Sequence, residues 1–379
     1  MAIRTLILSG GGGRGAFHVG VYDYLMRANK AGVDAAHRDT WDPEIIVGTS
    51  IGAVNGAAIA QGIPPETLIA YWKALEEASV EGIPPFMGPV ARWFSNQVYS
   101  RILQEKLPVI PVEEATSIMP PETWPLLPIL PKAFSKWLFG RWANLLDTGP
   151  LKKTLTEQWG ITPEKLAASD KTLLISATNV KTGELRVFSN HTIVSRKTQA
   201  TRPDTSVGID VNRILASCSI PLVYPWTPVD GEYYWDGAVV ANTPLGPALD
   251  VASRRYPIEE PMEVVVVLMT PWWEKGSVPA SRQALPGDFG QAVTWTLDWA
   301  LLASFRANLK LLRFFNEQIA IDAQAGIPQR YREVNVVIVA PDEFLPVERI
   351  IDYDEDASTA LIDWGRRAAE AAFQAAFPA

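Results

Sequence analysis

Gly48-Thr49-Ser50-Ile51-Gly52 fits the pattern G-x-S-x-G, which presents a serine hydroxyl for nucleophilic attack. The chemistry needs a strand-to-helix turn so tight that its flanking positions must be glycine. Such a turn sets the serine at a helix N-terminus, where backbone N–H groups and the helix dipole stabilise negative charge. A second cluster precedes it, Gly10-Gly11-Gly12-Gly13-Arg14-Gly15. As G-x-G-x-x-G at 10, 12 and 15 it fits a dinucleotide loop, which needs an acidic residue ending the second strand to hold a ribose. That strand ends instead in Gly48-Thr49-Ser50. As a cradle of N–H groups the loop fits an oxyanion hole for a tetrahedral intermediate. The oxyanion reading is preferred, and nucleotide binding stays open as an alternative.

The base that would serve Ser50 is not a histidine by any simple count. The chain holds His18, His37 and His191, and only His191 follows Ser50. The α/β-hydrolase order of Ser, acid and His, with the elbow after several strands, is therefore not met. A Ser-His-Asp triad is not expected. The histidines also lack metal-ligand spacing and no cysteine cluster assists them, so neither a metal nor a cofactor is expected. Cys218, the one cysteine, reads as a small buried residue. His18 reads as packing on the first helix, and Asp354-Glu355-Asp356 as a solvated turn before the last helix rather than a cation site.

These residues need elements to position them. Residues 3–8 form a short apolar run closed by glycines, which suits a buried strand. A helical pattern runs from Ala16 to about Arg27. The run Glu44–Val47 leads into the elbow, and an alanine-rich helix follows from Ala53 to Gln61, stopped by Gly62 and Pro64. Strand, glycine turn, helix, strand, sharp turn, helix predicts an α/β fold with a largely parallel sheet. Adjacent parallel strands would set the glycine loop beside the elbow at their C-terminal ends. Further strands are expected at Thr172–Ala177, Glu184–Phe188, Glu263–Met269 and Glu333–Ala340, with Val264–Leu268 buried on both faces. Helices are expected over much of 65–80, 205–218, 290–324 and 357–377.

The order G-G-G-x-R-G, then G-T-S-x-G, then Asp236-Gly237-Ala238 far downstream resembles the patatin-like phospholipases. Ala216-Ser217-Cys218-Ser219-Ile220-Pro221 before the third motif, Asn242-Thr243-Pro244-Leu245 after it, and Leu146-Asp147-Thr148-Gly149-Pro150-Leu151 carry the resemblance further. It covers about residues 3–250. On local sequence alone Asp236 would be an Asp-Gly turn after Tyr233-Tyr234-Trp235. The resemblance implies a Ser-Asp dyad without histidine, in which Ser50 is the nucleophile and Asp236 takes its proton. It implies oxyanion N–H groups from Gly11, Gly12 and Gly13, with Arg14 ordering the loop. Gly10, Gly15, Gly48, Gly52, Gly237 and Ala238 support the motifs, and Asn242 braces the turn after the acid. The implied fold is a three-layer α/β architecture: a mostly parallel central sheet with helices on both faces, a cap insertion and C-terminal helices. The implied activity is hydrolysis of phospholipid, lysophospholipid or other long-chain lipid esters. Hydrolysis of soluble esters, thioesters or polyesters is the alternative.

Composition narrows the remaining choices. A chain of 379 residues with 47% hydrophobic and 20% charged residues has the make-up of a globular protein with a large core. A net charge of −8 argues against a nucleic-acid partner. Residues 1–250 are expected to hold the catalytic core, with a cap inserted at about 80–147. Residues 251–379 would add the remaining core strands and a helical extension of the same unit. Ten of the 30 prolines fall within 84–131, which forbids a long helix or central strand there. Within 124–146, Trp, Phe and Leu alternate with Lys and Arg. That stretch suits either a surface dipping into a lipid interface or the packing of the cap. Trp295, Trp299, Leu301, Leu302 and Phe305 read as a buried helix face. The N-terminus reads as a strand rather than a signal peptide, and no run approaches the roughly 18 apolar residues of a spanning helix. A cytoplasmic protein with peripheral membrane contact through 124–146 is the expectation; oligomeric state is left open.

Overall fold

The computed structural model describes residues 2–27, 41–80, 146–194, 205–273, 285–287, 289–344 and 353–377. His37, the proline-rich stretch 84–131 and all of 124–146 except Leu146 lie outside them.

One sheet organises the chain. Its strands are β1 (Ile3–Leu8), β2 (Ile45–Thr49), β3 (Thr172–Asn179), β4 (Leu185–Ser189), β5 (Thr205–Val207), β6 (Thr227–Val229), β7 (Glu232–Asp236), β8 (Met262–Val267) and β9 (Val334–Val339). The order is β5-β4-β3-β2-β1-β8-β9, with the β6–β7 hairpin joined to β3. From β3 through β2, β1 and β8 to β9 every pairing is parallel, whereas β4 and β7 run antiparallel to β3. The sheet is mixed and mostly parallel.

Alternation along the strands sorts side chains onto two faces. Leu6, Leu8, Ile46, Leu173, Ile175, Val265 and Val267 enter one apolar core; Ile3, Ile7, Ile45, Val47, Leu174, Val264 and Val266 enter the other. The longer helices divide accordingly. The first face packs α1 (Ala16–Arg27), α2 (Ile51–Ala60), α3 (Pro65–Lys73), α4 (Val211–Cys218) and, from the chain's far end, α7 (Glu355–Ala376). The second packs α5 (Leu245–Arg255) and α6 (Phe289–Gln324). Leu302 and Phe305 of α6 are buried there, while Trp295 and Trp299, both half-buried, pack around Phe344. Among the described residues no helix is long and apolar enough to cross a membrane.

Three local readings change. Residues 205–218 are not one helix: 205–207 pair with β4, Gly208 turns with φ 97°, and Asp210 then caps α4 by accepting from the Arg213 N–H at 2.8 Å. The helical pattern over 65–80 is broken after Lys73 and resumes as Glu77–Val80, and nothing in the local sequence explains the break. The β6–β7 hairpin escaped the strand pattern, although Asp230-Gly231 between two short runs signals a two-residue turn. Both residues have positive φ, 52° and 82°, as a type I′ turn demands. At the other end, Asp354 accepts from the Ala357 N–H at 2.7 Å, so the acidic triplet caps α7 and places charge in its first turn.

The α1–α7 crossing depends on two glycines. A Cβ on Gly20 would press on the Ile362 backbone, and one on Gly365 would lie 3.1 Å from the Phe17 carbonyl carbon and 3.2 Å from the Val21 nitrogen. Arg366 donates to the buried Asp23 at the same crossing. Gly365→Val should destabilise the fold by about 1–3 kcal/mol by forcing the helices apart. A denaturant midpoint equal to wild type would refute the tight crossing.

Candidate active site

The elbow has the strain its glycines imply. Ser50 sits between β2 and α2 with φ 56° and ψ −127°, a region that L-residues with side chains seldom occupy. A Cβ on Gly48 would lie 2.6 Å from the Ala53 Cα, and one on Gly52 would lie 2.7 Å from the Leu8 carbonyl carbon. Neither neighbour can yield, because both are backbone. The Ser50 N–H donates to Ser217 Oγ of α4 at 2.8 Å, and the Ser50 carbonyl accepts from the Ala53 N–H at 2.8 Å. The turn is thereby tied at both ends.

Asp236 reaches Ser50 through the register of β3. Ser176 of β3 pairs with Thr49, the last residue of β2, and the next residue, Ala177, pairs with Asp236, the last of β7. Ala177 and Thr178 pair with β4 as well, so β7 must occupy the edge of β3 that β2 has just left. The ends of β2 and β7 therefore meet, and the Ser50 side chain lies beside the Asp236 carboxylate, where it favours the charged form. The acid is held on several sides. Its N–H donates to the Ser219 carbonyl at 2.9 Å, its carbonyl accepts from Thr178 Oγ1 at 2.9 Å, and its Oδ1 accepts from the Ala238 N–H at 2.8 Å. Ser217 and Ser219 thus each hold one member of the pair. At Gly237 a Cβ would run into Ser176, whose hydroxyl bonds Thr49 Oγ1 at 2.6 Å.

Burial sets the electrostatics. Ser50 is 4% exposed and Asp236 2%. Desolvation pushes the Asp236 carboxyl up to about 7, against the lowering effect of the nearby Ser50 side chain and the Ala238 N–H. Burial, with the Asp236 charge nearby, also pushes the Cys218 thiol well up, which leaves it a neutral buried side chain. His18 lies inside α1 with Nδ1 3.2 Å from Asn55 Nδ2, and burial lowers its pKa to about 3. It is a neutral core residue. Asn55, not singled out by sequence, also donates to the Gly15 carbonyl at 2.9 Å and accepts from Trp72 Nε1 at 2.8 Å, bracing the end of the glycine loop.

The loop itself forms a single 3-10 turn over Gly12–Gly15, entered through Gly12 at φ 58°. Asn242 ties the turn after Asp236 to the loop: its Oδ1 accepts from the Gly10 N–H at 2.7 Å. The Arg14 N–H donates to the Gly11 carbonyl at 3.3 Å, whereas the N–H groups of Gly11, Gly12 and Gly13 meet no acceptor among the described residues. Arg14 is buried, not a surface residue. Its Nε donates to the Gly11 carbonyl at 3.2 Å and its Nη1 lies 3.6 Å from Asp298 Oδ1 of α6. Burial raises the Asp298 carboxyl and lowers the Arg14 guanidinium, and each opposes the shift of the other. Asp298 carried no local signal in the sequence. Among the described residues no group of three or more His, Cys, Asp or Glu could hold a metal ion.

A mostly parallel α/β sheet with a glycine-flanked serine elbow at a strand's C-terminal end is an architecture of acyl hydrolases. Residues 6–249 match the model of the patatin-like phospholipases, and the chain belongs to that family of lipid acyl hydrolases. Among solved structures it is similar to VipD from Legionella pneumophila, at 15% identity and a TM-score of 0.33, over 96% of this chain and 67% of that one. It is also similar to the type III effector protein ExoU, at 14% identity and a TM-score of 0.35, over 99% of this chain and 53% of that one. The chain thus spans about half to two thirds of the length of these structures, and the family assignment rests on the match over 6–249. No curated protein matches it.

The Asp236 shift has a consequence for stability. The native state keeps a proton that the unfolded chain, with an ordinary value of 3.8, releases as pH rises to about 7. The resulting stabilisation is present below the unfolded value and is lost across that window. Asp236→Asn should therefore raise the melting temperature relative to wild type more at pH 8 than at pH 4. Equal differences at the two pH values would contradict a buried, proton-holding Asp236.

Proposed function

We propose that the chain is a serine acyl-ester hydrolase that uses Ser50 and Asp236 as a dyad on phospholipids, lysophospholipids or other long-chain lipid esters. The observation that carries this reading is the register of β3, which brings Ser50 and the buried carboxylate of Asp236 together at adjoining strand ends. The loop bearing the N–H groups of Gly11, Gly12 and Gly13 is tied to the turn after that carboxylate by Asn242.

The chemistry proceeds in two halves. Ser50 Oγ adds to the ester carbonyl carbon while its proton passes to Asp236. The carbonyl oxygen becomes an oxyanion, which the glycine N–H groups stabilise. Collapse of the tetrahedral intermediate breaks the bond to the alcohol, which leaves with the proton from Asp236. Water then adds to the acyl-Ser50 ester, its proton going to Asp236. The second intermediate expels Ser50 Oγ, which recovers that proton, and the fatty acid departs. A carboxylate is a weak base for a serine hydroxyl, so raising Asp236 toward neutrality brings proton affinity nearer to the task. A preorganised N–H cradle carries much of the remaining rate.

The family's lipid substrates favour a long-chain ester over a soluble one, and no separate observation favours nucleotide binding. Among the described residues, α2 begins immediately after Ser50, with no acidic residue ending β2 to receive a ribose.

Ser50→Ala and Asp236→Asn should each lower kcat on a long-chain phospholipid by at least about a thousandfold with the fold retained. Near wild-type turnover in either would sink the dyad. Because Asp236 must be ionised to accept the proton, kcat/KM should rise with pH through about 7 and level off above it. A profile flat between pH 5 and 8 would contradict that role.

A further inference from the structure

Asp298 lies in α6, outside residues 6–249 that match the family. It is nevertheless built into the glycine loop. The residue is 3% exposed, and Oδ1 both faces Arg14 Nη1 at 3.6 Å and accepts from Thr270 Oγ1 at 3.2 Å. Thr270 follows Met269, whose side chain packs so closely on Gly11 that a Cβ there would lie 2.6 Å from it. Arg14 in turn reaches the Gly11 carbonyl twice, through its own N–H at 3.3 Å and through Nε at 3.2 Å.

The carbonyl of Gly11 and the N–H of Gly12 belong to one planar trans peptide, so they point in opposite directions. Fixing the carbonyl toward Arg14 fixes the Gly12 N–H away from it. With no Cβ on either side, a Gly-Gly peptide has little local resistance to rotation. Were it to flip, a carbonyl oxygen would replace a donor, and an oxyanion would meet repulsion instead of a hydrogen bond. The Arg14 N–H holds the carbonyl from within the loop, and the guanidinium adds a second hold from its Nε. Asp298 is the carboxylate that faces and braces that guanidinium.

We propose that Asp298 is a positioning residue for acyl transfer: through Arg14 it locks the Gly11–Gly12 peptide in the orientation that offers the Gly12 N–H to the oxyanion. The inference rests on the acyl-hydrolase reading above and adds a contribution from α6 to the site.

The test uses the full chain carrying Asp298→Asn, which keeps shape but removes the charge, and separately Arg14→Lys, which cannot reach both Gly11 and Asp298. For each, kcat and KM are measured on a long-chain p-nitrophenyl ester, Ki for a long-chain alkyl trifluoromethyl ketone, and thermal unfolding by circular dichroism. The ketone adds Ser50 Oγ reversibly to give an alkoxide in the oxyanion position. Each variant should lose at least about tenfold in kcat with KM within about twofold, and Ki should rise by a similar factor. The double variant should be no slower than the slower single, because both break one linkage. A purely structural role would lower the melting temperature while leaving kcat and Ki of the folded protein unchanged, and that result overturns the proposal. So does a double variant whose losses multiply. If wild type neither hydrolyses the ester nor is labelled at Ser50 by a fluorophosphonate, the hydrolase reading fails and this one with it. Active wild type with unaffected variants overturns this inference alone.

Discussion

β3 offers one edge to two strands in succession, and the site follows from that arrangement. β2 occupies the edge as far as Ser176 and stops where the elbow turns away. β7 enters from the opposite direction and occupies it from Ala177 onward. Two strand ends that would otherwise present unpaired backbone are thereby brought together, with Asp236 at the last residue of one and Ser50 one residue beyond the other. The glycines follow from the same constraint. Gly48 and Gly52 let α2 start against the end of β1, and Gly237 lets the chain leave β7 over Ser176. A methyl group at any of these positions would meet its neighbours and separate the strand ends.

The arrangement is costly in itself, and the surroundings hold it. Ser50 keeps a backbone conformation that disfavours side chains, which costs of order 1–3 kcal/mol. Asp236 is buried where ionisation is opposed by desolvation. Ser217 and Ser219, two residues apart around Cys218, supply hydrogen bonds to the backbone of the two, and α4 holds both serines in position. Strain, burial and a carboxyl near neutrality are thus consequences of one packing solution.

The parts of the chain beyond the family match take part in the same structure. β8 and β9 extend the parallel sheet beside β1, α6 covers one face, and α7 closes against α1 on the other. The loop between β1 and α1 lies between these late elements and the elbow. It is tied to the segment after β7 by Asn242 and to α6 by the Arg14–Asp298 pair. Its placement therefore rests on residues far apart along the chain.

What the sequence by itself determined is local. The apolar run of β1, the alanine-rich α2 and the glycine turns are legible because their causes lie within a few residues, in alternation, helix period and backbone sterics. The shortage of histidines after Ser50 was legible too, and it argued against a Ser-His-Asp triad. The local rules failed where pairing decides. Thr205–Val207 is a strand because β4 offers an edge, and β6–β7 is a hairpin whose short runs acquire order only against β3. The tertiary structure alone decided that the Asp-Gly after Tyr233-Tyr234-Trp235 sits beside Ser50, that Arg14 is buried, and that Asp298 is its partner. The reason is physical: a carboxylate's surroundings and a cation's partner depend on distance and burial, and no spacing along the chain encodes either when the residues meet only through a shared sheet edge and a helix from the other end.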